Sequence, residues 1–300
     1  MTFLFLLALA AADTTETFRV SVAPAESLTV TTVGEGAPVV LIPGLFGSAF
    51  GFRHVMELLA EAGYRVVCIE PLGMGSSGRP EDADYSLTAQ ADRIAAVLDS
   101  LGLRQVVLVG HSLGASIAMR VSYRRPELAR AIVSLEGGPG ETATTAGFRR
   151  WIRFAPVARL FDTRRLMQQL LYRDMKALSF DESWVDVDIV LAYTAGLAKD
   201  TRGTVKAYQG MAKAEEPELL GDHLHAIACP VVLLVGEAEH NAGPPPAEIT
   251  LLTERLPSFS MRTIAGSGFF IQEEQPAAVV MAVRDVSGDG DCGAGTGDAN

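Results

Sequence analysis

One serine in the sequence stands in a pattern that can make it a nucleophile. Residues 110–114 (GHSLG) follow an apolar run, 106–109, that predicts a strand, and precede a helix-forming stretch, 115–124. A sharp strand-to-helix turn strains the backbone of the serine, and the two glycines leave room for that turn. The turn puts the Ser112 hydroxyl at a helix N-terminus, where developing negative charge is stabilised. The spacing therefore predicts that Ser112 attacks an electrophilic carbon, such as that of an acyl group.

The elements that must position Ser112 can be read from the apolar runs around it. Each run is short, continuous and rich in β-branched residues, which is typical of strands buried on both faces of a parallel sheet. The runs are 39–42, 66–69, 106–109, 132–135 and 231–235. Residues 27–33 alternate more, which predicts an antiparallel strand nearer the edge. Helical spacing over 94–101 separates two of the runs, so the pattern predicts an α/β fold with a doubly wound, mostly parallel sheet.

The alternation of strands and helices is interrupted after Leu135. Residues 140–225 contain no convincing buried strand and are rich in helix formers and bulky apolar residues. We therefore predict a helical cap over 140–225, inserted after the sixth strand of a core formed by 20–139 and 226–285. Residues 286–300 are rich in glycine and aspartate and have almost no apolar content, which predicts a disordered tail.

Three segments together carry a family resemblance. They are the serine turn at 110–114, the glycine-rich loop at 43–48 (PGLFGS) and the turn at 70–80 (EPLGMGSSGRP). With these segments the chain resembles the α/β-hydrolase superfamily, in its serine-nucleophile, esterase- and lipase-like branch with a helical cap. The resemblance implies an oxyanion hole formed by the backbone N–H groups of Leu45 and Leu113. Pro43 replaces the usual histidine of that loop, which does little harm because backbone donors do not depend on side-chain identity. Glu70 has a structural role in this resemblance.

The resemblance also implies a catalytic triad in the chain order serine, acid, histidine. Glu239 follows the run 231–235 and occupies the more usual position of the acid. Glu136 follows the run 132–135, the position of the acid in some branches that resemble haloalkane dehalogenases. Both glutamates remain candidates at this point, with Glu239 the first choice.

The histidine of the expected triad is replaced. Residues 263–276 (TIAGSGFFIQEEQP) match the motif that carries it, but Phe269 stands at its position and cannot accept a proton. His240, next to Glu239, is the one histidine expected at the rim of the site, because the side chain of His111 should point away from the Ser112 hydroxyl. Removal of a triad histidine costs on the order of 10⁶ in kcat in a well-studied serine hydrolase, so slow turnover is expected.

Composition limits the partners. The net charge is −11 without a Lys/Arg run, which argues against nucleic acid and against an anionic membrane surface. The three cysteines have no metal-ligand spacing, and no metal or organic cofactor is expected. Residues 1–12 contain an apolar run of about ten residues that suits a signal-peptide core and is too short to span a bilayer. No Lys or Arg precedes it, so both an exported protein and a cytoplasmic one with an apolar N-terminal segment stay open.

These residues favour the hydrolysis of a small carboxylic ester through Ser112. Because Phe269 replaces the expected base, the alternative is a catalytically impaired protein that binds a small apolar ligand in the same pocket. A third alternative is an interaction protein that uses only the fold, since a fold alone does not determine function.

Overall fold

The structure, a computed structural model, describes residues 14–142 and 163–288. Its centre is one sheet of eight strands: β1 (Glu16–Ala23), β2 (Glu26–Val33), β3 (Ala37–Ile42), β4 (Tyr64–Glu70), β5 (Val106–His111), β6 (Ala129–Leu135), β7 (Val231–Gly236) and β8 (Phe259–Ile264). The strand order is β1-β2-β4-β3-β5-β6-β7-β8. β2 pairs antiparallel with β1 and β4, and all other pairs are parallel. The predicted doubly wound, mostly parallel sheet is confirmed.

The register of the central strands brings the loops of the site together. Ile42 at the end of β3 pairs with Gly110 of β5, and His111 at the end of β5 pairs with Leu135 of β6. These strands are parallel, so their carboxyl ends meet at the same edge of the sheet. The loop after β3, the serine turn after β5 and the loop after β6 therefore lie side by side.

Strand β1 was not among the predicted strands. Its side chains alternate between exposed and half-buried, and it pairs with β2 alone at the edge of the sheet. An edge strand of this kind lacks the continuous apolar run that marks the central strands. The antiparallel strand predicted over residues 27–33 is present as β2, one strand in from that edge.

Helices cover both faces of the sheet. In chain order the described helices are α1 (Arg53–Glu61), α2 (Leu87–Ser100), α3 (Leu113–Arg124), α4 (Thr163–Leu178), α5 (Val187–Tyr193), α6 (Ala195–Lys199), α7 (Thr201–Lys213), α8 (Leu220–His223), α9 (Pro246–Arg255), α10 (Ile271–Glu274) and α11 (Pro276–Ser287). α1 and α11 pack on one face of the sheet, whereas α2 and α3 pack on the other.

Helices α4 to α8 lie between β6 and β7, so a helical insertion follows the sixth strand, as predicted. No strand occurs in its described part, residues 163–226. Met175, Val185, Val190 and Tyr193 form an apolar cluster with Phe270 of the loop after β8. This cluster connects the insertion to the loop that contains Phe269. Residues 143–162 of the predicted cap lie outside the described residues.

The two ends of the chain are described only in part. Helix α11 continues to Ser287, and Gly288 ends it with a φ of 77°. The core therefore extends a few residues past the predicted boundary at 285. The predicted N-terminal segment, 1–12, and residues 289–300 of the predicted tail lie outside the described residues. None of the helices in 14–142 and 163–288 has the length and apolar character that crossing a membrane requires.

Candidate active site

Ser112 has the strained backbone that the sequence pattern predicts. It lies between the last residue of β5 and the first residue of α3, with φ 50° and ψ −115°. A Cβ atom at Gly114 would collide with the carbonyl oxygen of Ile42, and one at Gly110 would collide with the backbone of α3. Glycine is therefore required at both positions. Strain of this kind costs about 1–3 kcal/mol and is typical of functional sites.

The loop after β3 packs directly on the serine turn. A Cβ atom at Gly44 would lie 2.9 Å from the His111 carbonyl oxygen and 3.2 Å from the Ser112 Cβ. Leu45 and Leu113 line the same cavity as Ser112. Leu113 is the first residue of α3, so its N–H has no acceptor within the helix. The two residues predicted to form the oxyanion hole thus directly follow Gly44 and Ser112 in the chain and line the same cavity.

The Glu70 side chain hydrogen-bonds to the end of the loop after β3. Its carboxylate accepts hydrogen bonds from Ala49 N, at 3.1 Å, and from Ser76 N, at 2.6 Å. It thereby joins the end of the loop after β3 to the glycine-rich turn after β4. Burial raises the pKa of Glu70, and its two backbone hydrogen bonds oppose that shift. These contacts match the structural role expected from the sequence.

The two candidate acids occupy different environments. Glu136 directly follows β6, with φ 52°, and its side chain is fully buried against the cavity. Glu136 Oε1 accepts a hydrogen bond from Gly236 N, whereas Oε2 has no hydrogen-bond partner among the described residues. Glu239 is exposed, outside the cavity lining, and makes no hydrogen bond or ion pair with a described residue. The structure therefore brings Glu136, and not Glu239, to the side of Ser112.

His240 turns inward from the loop after β7 to meet Glu136. Its Nε2 lies 3.4 Å from Glu136 Oε1, and its side chain is 4% exposed. Neither ring nitrogen makes a hydrogen bond of good geometry with a described residue. Ser112 Oγ likewise makes no hydrogen bond within residues 14–142 and 163–288. Glu136 and His240 are thus paired, and Ser112 makes no hydrogen bond to either.

Phe269 lies between two histidines. Its ring packs edge-on against His111, with centroids 4.6 Å apart, and against His240, with centroids 5.7 Å apart. Its backbone is fixed at both ends, because Phe269 N donates to Leu178 O at 2.8 Å and Phe269 O lies 3.0 Å from His111 Nε2. Phe269, at the position where the sequence motif predicts a histidine, is thus held by two backbone contacts and lines the cavity.

His111 has a fixed tautomer. A carbonyl oxygen can only accept, so the Nε2 atom facing Phe269 O must carry the proton and Nδ1 has none. Burial lowers the pKa of His111 to about 4, so its ring is neutral near pH 7. The sequence predicted a side chain pointing away from Ser112 Oγ. The ring does turn toward Phe269, although it still contributes to the cavity lining.

A cavity of about 670 Å³ surrounds Ser112. Its wall is largely apolar and comes from both the core and the helical insertion, including Leu45, Phe46, Met167, Leu170, Leu171, Met175, Leu178, Phe269 and Phe270. Polar residues that the sequence analysis did not name also line it, namely Ser116, Glu141, Thr142, Arg173, Asp174, Tyr193, Glu248 and Gln272. Only Gln272 falls inside a motif that the sequence singled out, at 263–276. Nothing in the sequence marks the others as residues of a site.

A buried ion network holds the loop after β6 against the helical insertion. Arg120 of α3 is fully buried, and its Nη2 donates to Glu141 Oε2 at 2.7 Å. Arg120 Nε lies 3.5 Å from Glu216 Oε2, and Glu216 in turn accepts from Leu87 N and Thr88 N at the start of α2. Glu141 lines the cavity. Arg120 of the core thus pairs with one carboxylate from the loop after β6, Glu141, and with one from the helical insertion, Glu216.

Groups of His, Cys, Asp and Glu that could hold a metal ion are absent from residues 14–142 and 163–288. Of the five histidines, His111 lines the cavity, whereas His54, His223, His225 and His240 do not. His223 instead stacks on Tyr123, with ring centroids 4.7 Å apart. The cavity lining thus contains Ser112, several carboxylates and His111, and His240 lies behind the lining residue Glu136.

Comparison with known proteins agrees with this architecture. A family model described as alpha/beta hydrolase fold matches residues 37–276. The uncharacterized hydrolase YugF of Bacillus subtilis (strain 168) is 26% identical over 250 residues, which are 82% of this chain and 88% of that protein. The 2-hydroxymuconate semialdehyde hydrolase of Pseudomonas sp. (strain CF600) is 33% identical over 158 residues, 50% of this chain and 55% of that protein.

A thermophilic esterase from Thermogutta terrifontis is similar in three dimensions, with a TM-score of 0.72 and 21% sequence identity. The likeness covers 91% of this chain and 98% of the esterase chain. The identity is low, so this similarity concerns the fold. The family model, in contrast, covers most of the chain, including the serine turn and the loop after β3. The chain belongs to the alpha/beta hydrolase fold family.

Proposed function

We propose that this protein hydrolyses a small carboxylic ester through Ser112, slowly, with the Glu136–His240 pair in place of the usual acid and histidine. The observation that carries the proposal is the 3.4 Å approach of His240 Nε2 to the buried Glu136 carboxylate, beside the strained Ser112. Similarity to hydrolases over most of the chain supports the reaction class. The apolar cavity supports an apolar acyl or alcohol group on the ester.

The first half of the reaction acylates the serine. Ser112 Oγ attacks the ester carbonyl carbon, and its proton passes to His240 Nδ1, because Nε2 faces Glu136. The oxyanion of the tetrahedral intermediate accepts hydrogen bonds from Leu45 N and Leu113 N, each worth about 10²–10³ in kcat in a comparable site. Collapse breaks the bond to the alcohol oxygen, which leaves with the proton returned by His240. Glu136 stabilises the imidazolium form between these two proton transfers.

The second half regenerates the free serine. Water gives a proton to His240 and attacks the acyl carbon, and collapse of the second intermediate returns that proton to Ser112 Oγ. Both halves require His240 to come within hydrogen-bond reach of Ser112, an approach absent from the described residues. A movement of the His240 side chain toward Ser112 is therefore part of each cycle. This requirement is the physical reason for a slow rate.

Hydrolysis of p-nitrophenyl acetate and butyrate tests the proposal. We expect a low rate in the parent that falls to background in Ser112→Ala and falls at least about 10-fold in His240→Gln. His225→Gln is the matched control, because His225 is exposed and is not paired with Glu136, and it should leave the rate unchanged. A parent rate that persists in Ser112→Ala would rule out the serine. A Ser112-dependent rate that persists in His240→Gln would rule out the base.

One observation favours a second candidate, a binding protein for a small apolar ligand. Phe269 adds an apolar ring where the base should be, and this ring packs against both nearby histidines. On this alternative the cavity takes up apolar esters or alcohols without Ser112-dependent turnover. Equal binding of pentyl acetate by the parent and by Ser112→Ala, without release of pentanol by the parent over hours, would favour the binding protein.

A further inference from the structure

A carboxylate from the helix after β7 lies against the loop that follows β6. Gly137 of that loop packs on the serine turn, because a Cβ atom there would lie 2.6 Å from the Ser112 carbonyl oxygen. At the next residue, Gly138, a Cβ atom would collide with Glu248 Oε2. The absence of a side chain at 137 thus admits the serine turn, and its absence at 138 admits the carboxylate. Glu248 is therefore held next to the loop that contacts the nucleophile.

The place of Glu248 in its helix does not account for this orientation. Glu248 lies in the first turn of α9, where the positive end of the helix dipole stabilises a carboxylate. A glutamate in this turn commonly bonds back to the N–H of the N-cap residue, but the N-cap of α9 is Pro245, which has no N–H. The side chain turns instead toward Gly138 and lines the cavity that surrounds Ser112.

Glu248 differs from the other acidic residues of the described lining because its carboxylate has no partner. The others are each paired: Glu136 contacts His240, Glu141 contacts Arg120, and Asp174 contacts Arg173. The Glu248 carboxylate makes no hydrogen bond or ion pair with a described residue. The residue is half-buried, and neither carboxylate oxygen is fully buried. A ligand in the cavity can therefore reach this carboxylate.

The protein does not neutralise the charge of Glu248. Burial and the nearby Glu141 carboxylate both raise the pKa of Glu248, and no described cation opposes them. An opposite charge within about 4–6 Å would favour the ionised carboxylate. A cationic ligand supplies that charge, whereas an anionic ligand would add a further like charge. The net charge of the chain, −11, acts in the same sense over longer distances.

We propose that Glu248 forms an ion pair with a cationic group of the substrate, so that the preferred ligands are small esters that carry an ammonium group. The apolar part of the cavity wall accommodates the alkyl groups of such an ester. This inference names the substrate class of the site described under the proposed function and rests on that function for turnover. Binding itself requires only the cavity and the Glu248 carboxylate.

The test measures binding, so that it stays separate from turnover. The receptor is the Ser112→Ala protein, and the ligands are two isosteric pairs in which a trimethylammonium group replaces a tert-butyl group. On the alcohol side, 3-(trimethylammonio)propyl acetate is compared with 4,4-dimethylpentyl acetate. On the acyl side, ethyl 4-(trimethylammonio)butanoate is compared with ethyl 5,5-dimethylhexanoate. Calorimetric titration gives the ratio of dissociation constants within each pair, for Ser112→Ala alone and combined with Glu248→Gln or Glu254→Gln.

We expect Glu248→Gln to weaken binding of the cation, relative to its neutral isostere, by about 5-fold in at least one pair. The variant loses the charge but keeps an oxygen acceptor, so the ratio reports on the charge. Glu254→Gln is the matched control, because Glu254 is an exposed glutamate of the same helix outside the cavity lining. It should leave both ratios within about twofold, since solvent screens its charge.

Unchanged ratios in Glu248→Gln overturn the proposal. An equal shift in Glu254→Gln also overturns it, because the preference would then come from the field of the whole chain. If Glu248→Gln does not fold, the ratio in Ser112→Ala alone decides. The proposal requires the cation to bind at least as tightly as its isostere in one pair, and weaker or undetectable binding of both cationic esters overturns it.

Failure of this inference and failure of the proposed function give different results. If the cation preference depends on Glu248 but the parent shows no Ser112-dependent hydrolysis, the proposed function fails and the cavity is a binding site for cationic ligands. If the parent hydrolyses p-nitrophenyl esters through Ser112 but the ratios do not depend on Glu248, only the inference about Glu248 fails.

Discussion

Glu136 Oε1 lies 3.4 Å from His240 Nε2, and these two residues come from the loops that follow neighbouring parallel strands, β6 and β7. The carboxylate needed to orient an imidazole is thus buried beside Ser112. The imidazole that reaches it, however, arrives from the loop after β7 and not from the loop after β8, where Phe269 stands. The pair thus places an imidazole next to a carboxylate that lines the cavity of Ser112.

The first prediction separates the two candidate acids. Glu136→Gln removes the charge that stabilises an imidazolium, whereas Glu239→Gln changes an exposed carboxylate of the same chemistry. We expect Glu136→Gln to lower the rate of p-nitrophenyl butyrate hydrolysis at least about 10-fold and Glu239→Gln to leave it within about twofold. The reverse pattern, in folded variants with parent-like melting temperatures, would assign the acid to Glu239.

The second prediction restores the missing base. Phe269 is anchored by backbone contacts with Leu178 and His111, which do not depend on its side chain, so Phe269→His should place an imidazole in the same position. We expect a gain of at least about 10² in kcat for p-nitrophenyl acetate, because a positioned base contributes about 10²–10⁴. The measurement is initial rate at saturating ester.

The gain in Phe269→His has its own controls. Ser112→Ala and Glu136→Gln should each abolish it, because the new imidazole needs both the nucleophile and the buried carboxylate. His240→Gln in the same background should retain most of the gain, since His240 is then no longer the base. A folded Phe269→His protein with the parent rate would indicate that the oxyanion donors or the acid are misplaced as well.

The local parts of the site could be predicted from the sequence because short-range rules determine them. The strain at Ser112 follows from a strand, two glycines and a helix within a few residues of one another. The contact of Gly44 with the serine turn follows from β3 and β5 lying side by side. In both cases the prediction rests on an apolar run and a glycine, and the predicted geometry does not depend on side chains from distant parts of the chain.

The burial of Glu136 and the polar wall of the cavity could not be predicted in this way, because contacts between residues far apart in the chain determine them. Glu136 and Glu239 both follow strands, and burial of the first depends on Gly236 N, which is 100 residues away in the chain. In the polar wall, Tyr193 comes from the helical insertion, and its phenol donates to Glu273 of α10. No spacing in the sequence connects these residues.

The third prediction concerns the buried ion network. Arg120→Met removes the one cation that contacts both Glu141 and Glu216, and Glu216 is 4% exposed on its side chain. Breaking a buried pair by removing one partner typically costs about 3–5 kcal/mol. We therefore expect the free energy of unfolding in urea to fall by about that amount.

Arg125→Met is the control, because Arg125 pairs with Asp99 and Glu127 at the surface and should have a far smaller effect. Equal losses in the two variants would contradict the role given to Arg120.

The last prediction concerns pH and His111. Burial lowers the pKa of His111 from 6.5 to about 4, so between these values the unfolded chain binds a proton that the folded chain does not. The stability that depends on a neutral His111 is fully present above about pH 6.5 and is lost as the pH falls toward 4, in total about 3 kcal/mol. His111→Asn keeps a side-chain donor for Phe269 O but has no titrating group. Its free energy of unfolding should therefore fall less steeply than that of the parent between pH 6.5 and 4.5.

His54→Asn, at a histidine whose side chain is 47% exposed, is the control and should follow the parent curve. Identical pH dependence in the parent and His111→Asn would mean that His111 is protonated in the folded protein, which would remove the neutral tautomer inferred from its contact with Phe269 O.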